Sequence, residues 1–217
     1  MGHQEQLNIE LVLAAAPELI IGYAVGEKPK IYETIANSGI PVILATGNVR
    51  AITYGLWRFL NLSGPICCEN GGVLWHPDWG ETKYRADGSE AKAAAQWLAT
   101  QIEGLSWQGI ETNQWRESEW CLLPNEDLAL IEQLIADSKW SHLSVVKTGF
   151  AIHLMEPQLS KGSGLKIILE KMGLNSTDLL CVGDAPNDLE QPAHGRIKTA
   201  TEVACQGAQR NAYQPRQ

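Results

Sequence analysis

The chain has 217 residues, with 17 Lys plus Arg against 25 Asp plus Glu, a formal net charge of −8 at pH 7. With 44% hydrophobic and 19% charged residues it carries ample apolar mass for a packed core, which excludes disorder as a general description. The acidic balance and the lack of a basic stripe disfavour a nucleic-acid partner. The five cysteines (Cys67, Cys68, Cys121, Cys181, Cys205) form no C-x-x-C pair and sit in apolar runs. They read as core thiols of a reducing cytoplasm rather than as a disulfide framework or zinc site.

Taken in chain order, the apolar stretch Ile9 to Val25 has no basic leader and is interrupted by Pro17 and Glu18. That argues against a signal peptide or membrane span, and for a cytoplasmic protein with no membrane partner. Leu11 to Ala15 reads as a buried strand. Pro29 to Ser38 has helical spacing and ends at Gly39. Pro41 to Ala45 is a continuous apolar run, as in a central parallel strand, with Thr46-Gly47-Asn48 at its tip. Val49 to Leu60 predicts a helix with Ile52, Leu56 and Phe59 on one face. Pro65 to Cys68 predicts a strand, and Glu69-Asn70-Gly71-Gly72 a turn. Strand–helix alternation of this kind is the grammar of a doubly wound α/β domain.

From about Trp79 to Glu156 the grammar changes. A helix is expected over Ser89 to Ile102 and another over Asn125 to Asp137. A hairpin of Ser144–Val146 and Ala151–Leu154 turns at Thr148-Gly149. Six of the eight tryptophans (Trp79, Trp97, Trp107, Trp115, Trp120, Trp140) fall here. They read either as aromatic packing within an α+β insertion or as an aromatic lid over a ligand. After Pro157 the first grammar returns. Ser160 to Gly164 precedes a helix over Leu165 to Met172, closed by Gly173. Leu179 to Val182 is a strand with Gly183-Asp-Ala-Pro-Asn-Asp188 at its tip, and Gly195 to Ala200 reads as a further strand. Pro192 cuts the helix expected between them. A sheet edge left bare there could be covered by a second copy of the chain.

Three polar clusters thus lie at strand tips, where ligands of open α/β sheets bind. Asp184, Asn187 and Asp188 offer the hard oxygen donors Mg²⁺ prefers, or else Asp188 caps a helix. Thr46, Gly47 and Asn48 offer a hydroxyl and backbone N–H groups to an anion, or else an ordinary N-cap. Lys161 can neutralise a phosphate, with Ser163 capping the next helix, or else it is a solvated surface lysine.

The order and spacing of these clusters resemble the haloacid dehalogenase superfamily, in its Cof-type branch with an inserted α+β cap. The stretches Gly39-Ile-Pro-Val-Ile-Leu-Ala-Thr-Gly-Asn48, Glu69-Asn-Gly-Gly72, Gly149-Phe-Ala-Ile-His153 and Lys161-Gly-Ser-Gly164 look like archaeal-type phosphoglycolate phosphatases. Sucrose-phosphate phosphatases are more distant. The resemblance implies a discontinuous core over 1–78 and 157–217, a cap over 79–156, and Mg²⁺-dependent hydrolysis of small phosphate monoesters through an aspartyl-phosphate. By motif, Thr46 would hold phosphoryl oxygens and Lys161 would neutralise phosphate. Asp184 and Asp188 would organise the metal, supported by Asn187. The cap would select the substrate, with Arg85, Arg116, Trp115 and His153 as candidates.

The family's first motif, D-x-D-G-T at the tip of strand one, has no counterpart, since no Asp occurs before Asp78. Aligning Leu11-Val12-Leu13 with that strand places Ala14 at the nucleophile and Ala16 at the acid/base. Neither methyl group can do the work, and acid–base assistance alone is worth roughly 10² to 10⁴ in rate. The expectation is a phosphatase-like protein that binds a phosphate ester and Mg²⁺ with hydrolysis weak or lost. The alternatives are an active hydrolase with an unusual nucleophile and an interaction protein using the tryptophan-rich cap.

Overall fold

The computed structural model describes residues 39–181, residue 37, and the segments 19–22 and 196–197. Strands β1 (Leu19–Gly22), β2 (Val42–Ala45), β3 (Ile66–Cys68), β4 (Val73–Trp75), β5 (Lys83–Tyr84), β9 (Leu179–Cys181) and β10 (Arg196–Ile197) form one sheet in the order β10-β9-β1-β2-β3-β4-β5. The first five in that order run parallel, and β4 pairs antiparallel with both β3 and β5. β2 is buried along its whole length, which is why it reads as an unbroken apolar run rather than an alternation.

Helix α1 (Arg50–Phe59) follows β2, and helix α4 (Lys161–Met172) packs on β3 and β4. Ile43, Ala45, Cys67 and Leu74 of the sheet meet Leu165, Ile168 and Leu169 of α4 in one apolar cluster. Gly164 of α4 lets helix and sheet approach closely. A Cβ on Gly164 would come within 2.8 Å of the Gly71 Cα and 2.7 Å of the Cys67 Sγ. The expected face of α1 is not its packed face: Ile52, Leu56 and Phe59 are 38%, 37% and 75% exposed. The helix is held instead by Tyr54 and Trp57 against Trp75, at 5.1 and 5.4 Å between centroids, and by Trp57 Nε1 donating to the Gly64 carbonyl at 2.7 Å.

A second, three-stranded antiparallel sheet has the order β6-β8-β7, from β6 (Glu119–Leu122), β7 (Ser144–Lys147) and β8 (Ile152–Met155). Helices α2 (Ser89–Gln101) and α3 (Leu128–Ala136) pack against it. Ala91, Ala94, Ala95 and Leu98 of α2 and Ile131 and Ile135 of α3 share a core with Trp120, Leu122, Ile152 and Leu154. Trp97, Trp107 and Trp140 join this core, so of the two readings of the tryptophans these residues follow the packing one. β5 lies within the span expected for the insertion, yet it pairs with β4 in the larger sheet.

Three expectations are corrected. The strand between β2 and β9 is Leu19–Gly22, not Leu11–Ala15, so its tip is Gly22 followed by Tyr23-Ala24, and Ala14 and Ala16 lie outside the described residues. Leu-Ile-Ile is the better strand former, because β-branched residues suit a pleated sheet and alanine does not. Helix α4 starts at Lys161 rather than Leu165, because Ser160 and Ser163 form a reciprocal capping box. Ser160, not Ser163, is therefore the N-cap. Asp184, Asn187 and Asp188 lie outside the described residues, as does the helix expected over 29–38 apart from residue 37.

Candidate functional site

Side chains alternate across a strand, so Trp120 and Leu122 on β6 and Ile152 and Leu154 on β8 face the helices, while Glu119, Cys121 and His153 take the opposite face. That second face covers the tips of β2 and β3. A Cβ on Gly47 would meet Asn70 Oδ1 at 3.2 Å and His153 Cε1 at 3.5 Å. Thr46-Gly47-Asn48 therefore lies under a lid of polar, fully buried side chains from the smaller sheet.

The loop is tied from below. Thr46 N–H donates to the Cys67 carbonyl at 2.9 Å, and Asn70 N–H and Glu69 N–H donate to the Thr46 and Asn48 carbonyls at 3.1 and 3.0 Å. Asn48 N–H donates to Thr46 Oγ1 at 3.0 Å, and among the described residues the hydroxyl hydrogen has no acceptor. Glu69 and Asn70 both adopt left-handed backbone, φ 50° and 52°, which asparagine tolerates and glutamate rarely adopts. The reward for Glu69 is position. Buried, its carboxylate accepts from Ser118 N–H and Ser118 Oγ, both at 2.8 Å, and from Glu117 N–H at 3.1 Å. Burial pushes the Glu69 carboxyl above its ordinary value, against these hydrogen bonds.

Arg116 crosses between the sheets. Its Nη1 donates to the Gly47 carbonyl at 3.0 Å and pairs with Glu119 Oε1. Glu119 also accepts from Asn70 Nδ2 at 3.1 Å and meets His153 Nδ1 at 3.1 Å. Burial pushes the Glu119 carboxyl up, but His153, Arg116 and Asn70 outweigh it and hold the group below the usual carboxylate range. The Arg116 side chain is fully buried, yet its Nε and Nη2 have no hydrogen-bond partner among the described residues. Leaving buried donors unpaired costs about 1–3 kcal/mol each, more for a charged group.

Glu119, Cys121 and His153 also place a carboxylate oxygen, a thiol and a ring nitrogen within 4.8 Å of one another. Burial and the nearby Glu119 push the Cys121 thiol well above its ordinary value, and Glu119 is already paired with a guanidinium. A neutral thiol beside a compensated carboxylate suits a hydrogen-bonded network better than a cation centre. Cys67 and Cys68 are buried and free, and burial raises both thiols, Cys67 to about 12, which disfavours the nucleophilic thiolate form.

Among the other expected site residues, Lys161 opens α4 and is largely buried, 8% exposed. Its charge and that of Arg85 act on Cys67, whose carbonyl holds the Thr46 amide. Arg85 is a clamp. Its Nη1 donates to the Gly71 carbonyl and to Ser163 Oγ, each at 2.9 Å, and its Nη2 to the Gln158 carbonyl at 3.1 Å. Trp115 is half exposed. Sequence reading passed over Asn113, which holds the loop before β6 by donating to the Gln108 and Cys121 carbonyls, both at 2.7 Å, and accepting from Cys121 N–H. It also passed over Glu117, Ser118 and Glu119. A charged run before an apolar strand ordinarily signals a solvated loop, so only the burial reveals them.

Comparison with known proteins agrees with this architecture. The family described as haloacid dehalogenase-like hydrolase matches residues 121–191. The phosphoglycolate phosphatase of Methanothermobacter thermautotrophicus is 33% identical over 165 residues, covering 76% of this chain and 71% of that one. That of Thermoplasma volcanium is 34% identical over 152 residues, 70% and 65% of the two chains. A Thermoplasma acidophilum crystal structure superposes with a TM-score of 0.70 at 22% identity, covering 83% of this chain and 81% of that one. The sucrose-phosphatase of Synechocystis, solved with sucrose and phosphate, gives 0.58 at 18% identity, with 82% and 80% covered. No helix among the described residues is long and apolar enough to cross a membrane. With a relative above 30% identity covered over more than two thirds of its length, the chain belongs to the haloacid dehalogenase superfamily.

Proposed function

We propose that this protein binds a small phosphate monoester, of the phosphoglycolate or sugar-phosphate kind, with hydrolysis weak or lost. The observation that supports it best is the Thr46-Gly47-Asn48 loop at the tip of β2, tied by its backbone to the Glu69-Asn70 turn, where the Thr46 hydroxyl hydrogen has no acceptor among the described residues. Lys161 at the start of α4 adds positive charge and a helix N-terminus.

Weak turnover follows from composition. No Asp precedes Asp78, and the segment Leu19 to Gly26, which holds β1, carries no carboxylate at all. A phosphatase of this superfamily without its nucleophilic Asp loses covalent catalysis, while phosphate binding gains from reduced charge repulsion. Asp184, Asn187 and Asp188 follow β9 in sequence and are hard oxygen donors that fit Mg²⁺. Bound there, the ion would neutralise phosphoryl oxygens, and with no carboxylate from the neighbouring β1 segment its affinity is expected to be reduced.

Calorimetric titration of the folded chain with 2-phosphoglycolate and with inorganic phosphate, in Mg²⁺, tests the binding. Saturable binding supports it, and silence with both ligands overturns it. Phosphate release from a panel of monoesters tests the lost hydrolysis, with Asp184→Ala as the control for contaminating phosphatase. Turnover that vanishes in the control replaces this reading with that of an active hydrolase using an unusual nucleophile.

A further inference from the structure

Arg116 is half used. One end of its guanidinium, Nη1, is committed to the Gly47 carbonyl and to Glu119. The other edge, Nε and Nη2, is buried and unpartnered among the described residues. Those two N–H groups lie side by side in the guanidinium plane and point the same way, the fork that takes both oxygens of one carboxylate or phosphate. The anchor on Gly47 fixes the guanidinium beside the Thr46 loop. Glu119 does not fill that edge, because it meets the guanidinium through Nη1 alone.

We propose that the free Nε/Nη2 edge of Arg116 selects a substrate with a second acid group, taking the carboxylate of a phosphorylated hydroxy acid while the Thr46 loop and Lys161 take the phosphoryl group. This rests on the phosphate-site reading above and adds to it a specificity residue. A neutral alcohol tail at the same place would leave the two donors buried and unpaired, so discrimination arises from both attraction and penalty.

The experiment compares three ligands by titration: 2-phosphoglycolate, 2-hydroxyethyl phosphate and inorganic phosphate. Wild type is expected to prefer the first over the second by roughly ten- to hundredfold. In Arg116→Lys, which keeps a cation for Glu119 but offers no fork, that preference should collapse, 2-phosphoglycolate losing roughly tenfold more affinity than either of the other two ligands. Equal weakening of all three ligands means that Arg116 holds the phosphoryl group, and overturns the proposal while leaving the phosphate site standing. Binding of none by folded wild type overturns the site reading, and this one with it. Should Arg116→Lys fail to fold, wild type alone decides: 2-phosphoglycolate bound no tighter than 2-hydroxyethyl phosphate refutes the role.

Discussion

Glu69, in the turn after β3, accepts two hydrogen bonds of 2.8 Å from Ser118, the residue before β6. The contact spans the two sheets and joins positions 49 apart in the chain. It positions the strand that carries Glu119 over the Thr46 loop. Glu69→Ala would strand the Ser118 and Glu117 donors in a buried place. The expected loss is about 2–4 kcal/mol, read as a lower urea midpoint. A change below about 0.5 kcal/mol would mean that water replaces the carboxylate.

Two buried carboxylates impose opposite pH dependences. Glu119 is held below its ordinary value, so the stability it contributes is present above about pH 4.3 and is lost as pH falls through its folded value. Glu69 is raised, so its contribution is largest below that pH and falls away as pH rises through its higher folded value. Urea midpoints of wild type and variants across pH 3 to 8 check the signs. Glu119→Gln should flatten the acid limb, and Glu69→Gln the decline towards neutrality. Parallel curves for both variants would contradict the assignment.

Two glycines make a controlled pair. Gly164 packs its α-carbon face against Gly71 and Cys67, so Gly164→Ala should overpack the junction of α4 and the Glu69 turn by about 1–3 kcal/mol. It should also weaken phosphate binding, because Lys161 sits one turn away. Gly55 lies in α1 with nothing within 4 Å of an added Cβ. Gly55→Ala should stabilise by about 0.5–1 kcal/mol through helix propensity, with ligand binding unchanged. Thermal melts and phosphate titrations of the two variants settle both signs.

Arg85 and Arg116 were equal candidates on sequence, and the structure separates them. Arg85 spends its donors on the Gly71 carbonyl, Ser163 Oγ and the Gln158 carbonyl. Arg85→Gln should therefore lower stability by about 1–3 kcal/mol and leave the ratio of affinities for 2-phosphoglycolate and 2-hydroxyethyl phosphate unchanged. A changed ratio with unchanged stability would return Arg85 to the ligand.

Local pattern carried much of the architecture. The unbroken run before Thr46, the helix closed at Gly173 and the hairpin around Thr148 all appear where periodicity and glycine placed them. So does a strand within Gly195 to Ala200, found as β10. Misplacement came where the pattern is ambiguous. Two apolar runs precede Gly26, and pairing with β2 and β9, rather than composition alone, decides which is β1. Ile52, Leu56 and Phe59 form a helical stripe, but a stripe does not say what it faces.

By itself the sequence determined much of the strand–helix order, the Thr46-Gly47-Asn48 turn at a strand tip and the lack of any Asp before Asp78, because these depend on neighbours within a few residues. Only tertiary structure decided that Asn70, Arg116, Glu119 and His153 meet, and that Glu69 reaches Ser118 beside them. Asn70 and His153 are 83 residues apart, and they touch because β6 and β8 turn their polar face onto the tips of the larger sheet. Strand alternation makes that face polar, but which surface it covers is set by packing between two sheets, and no local periodicity encodes it.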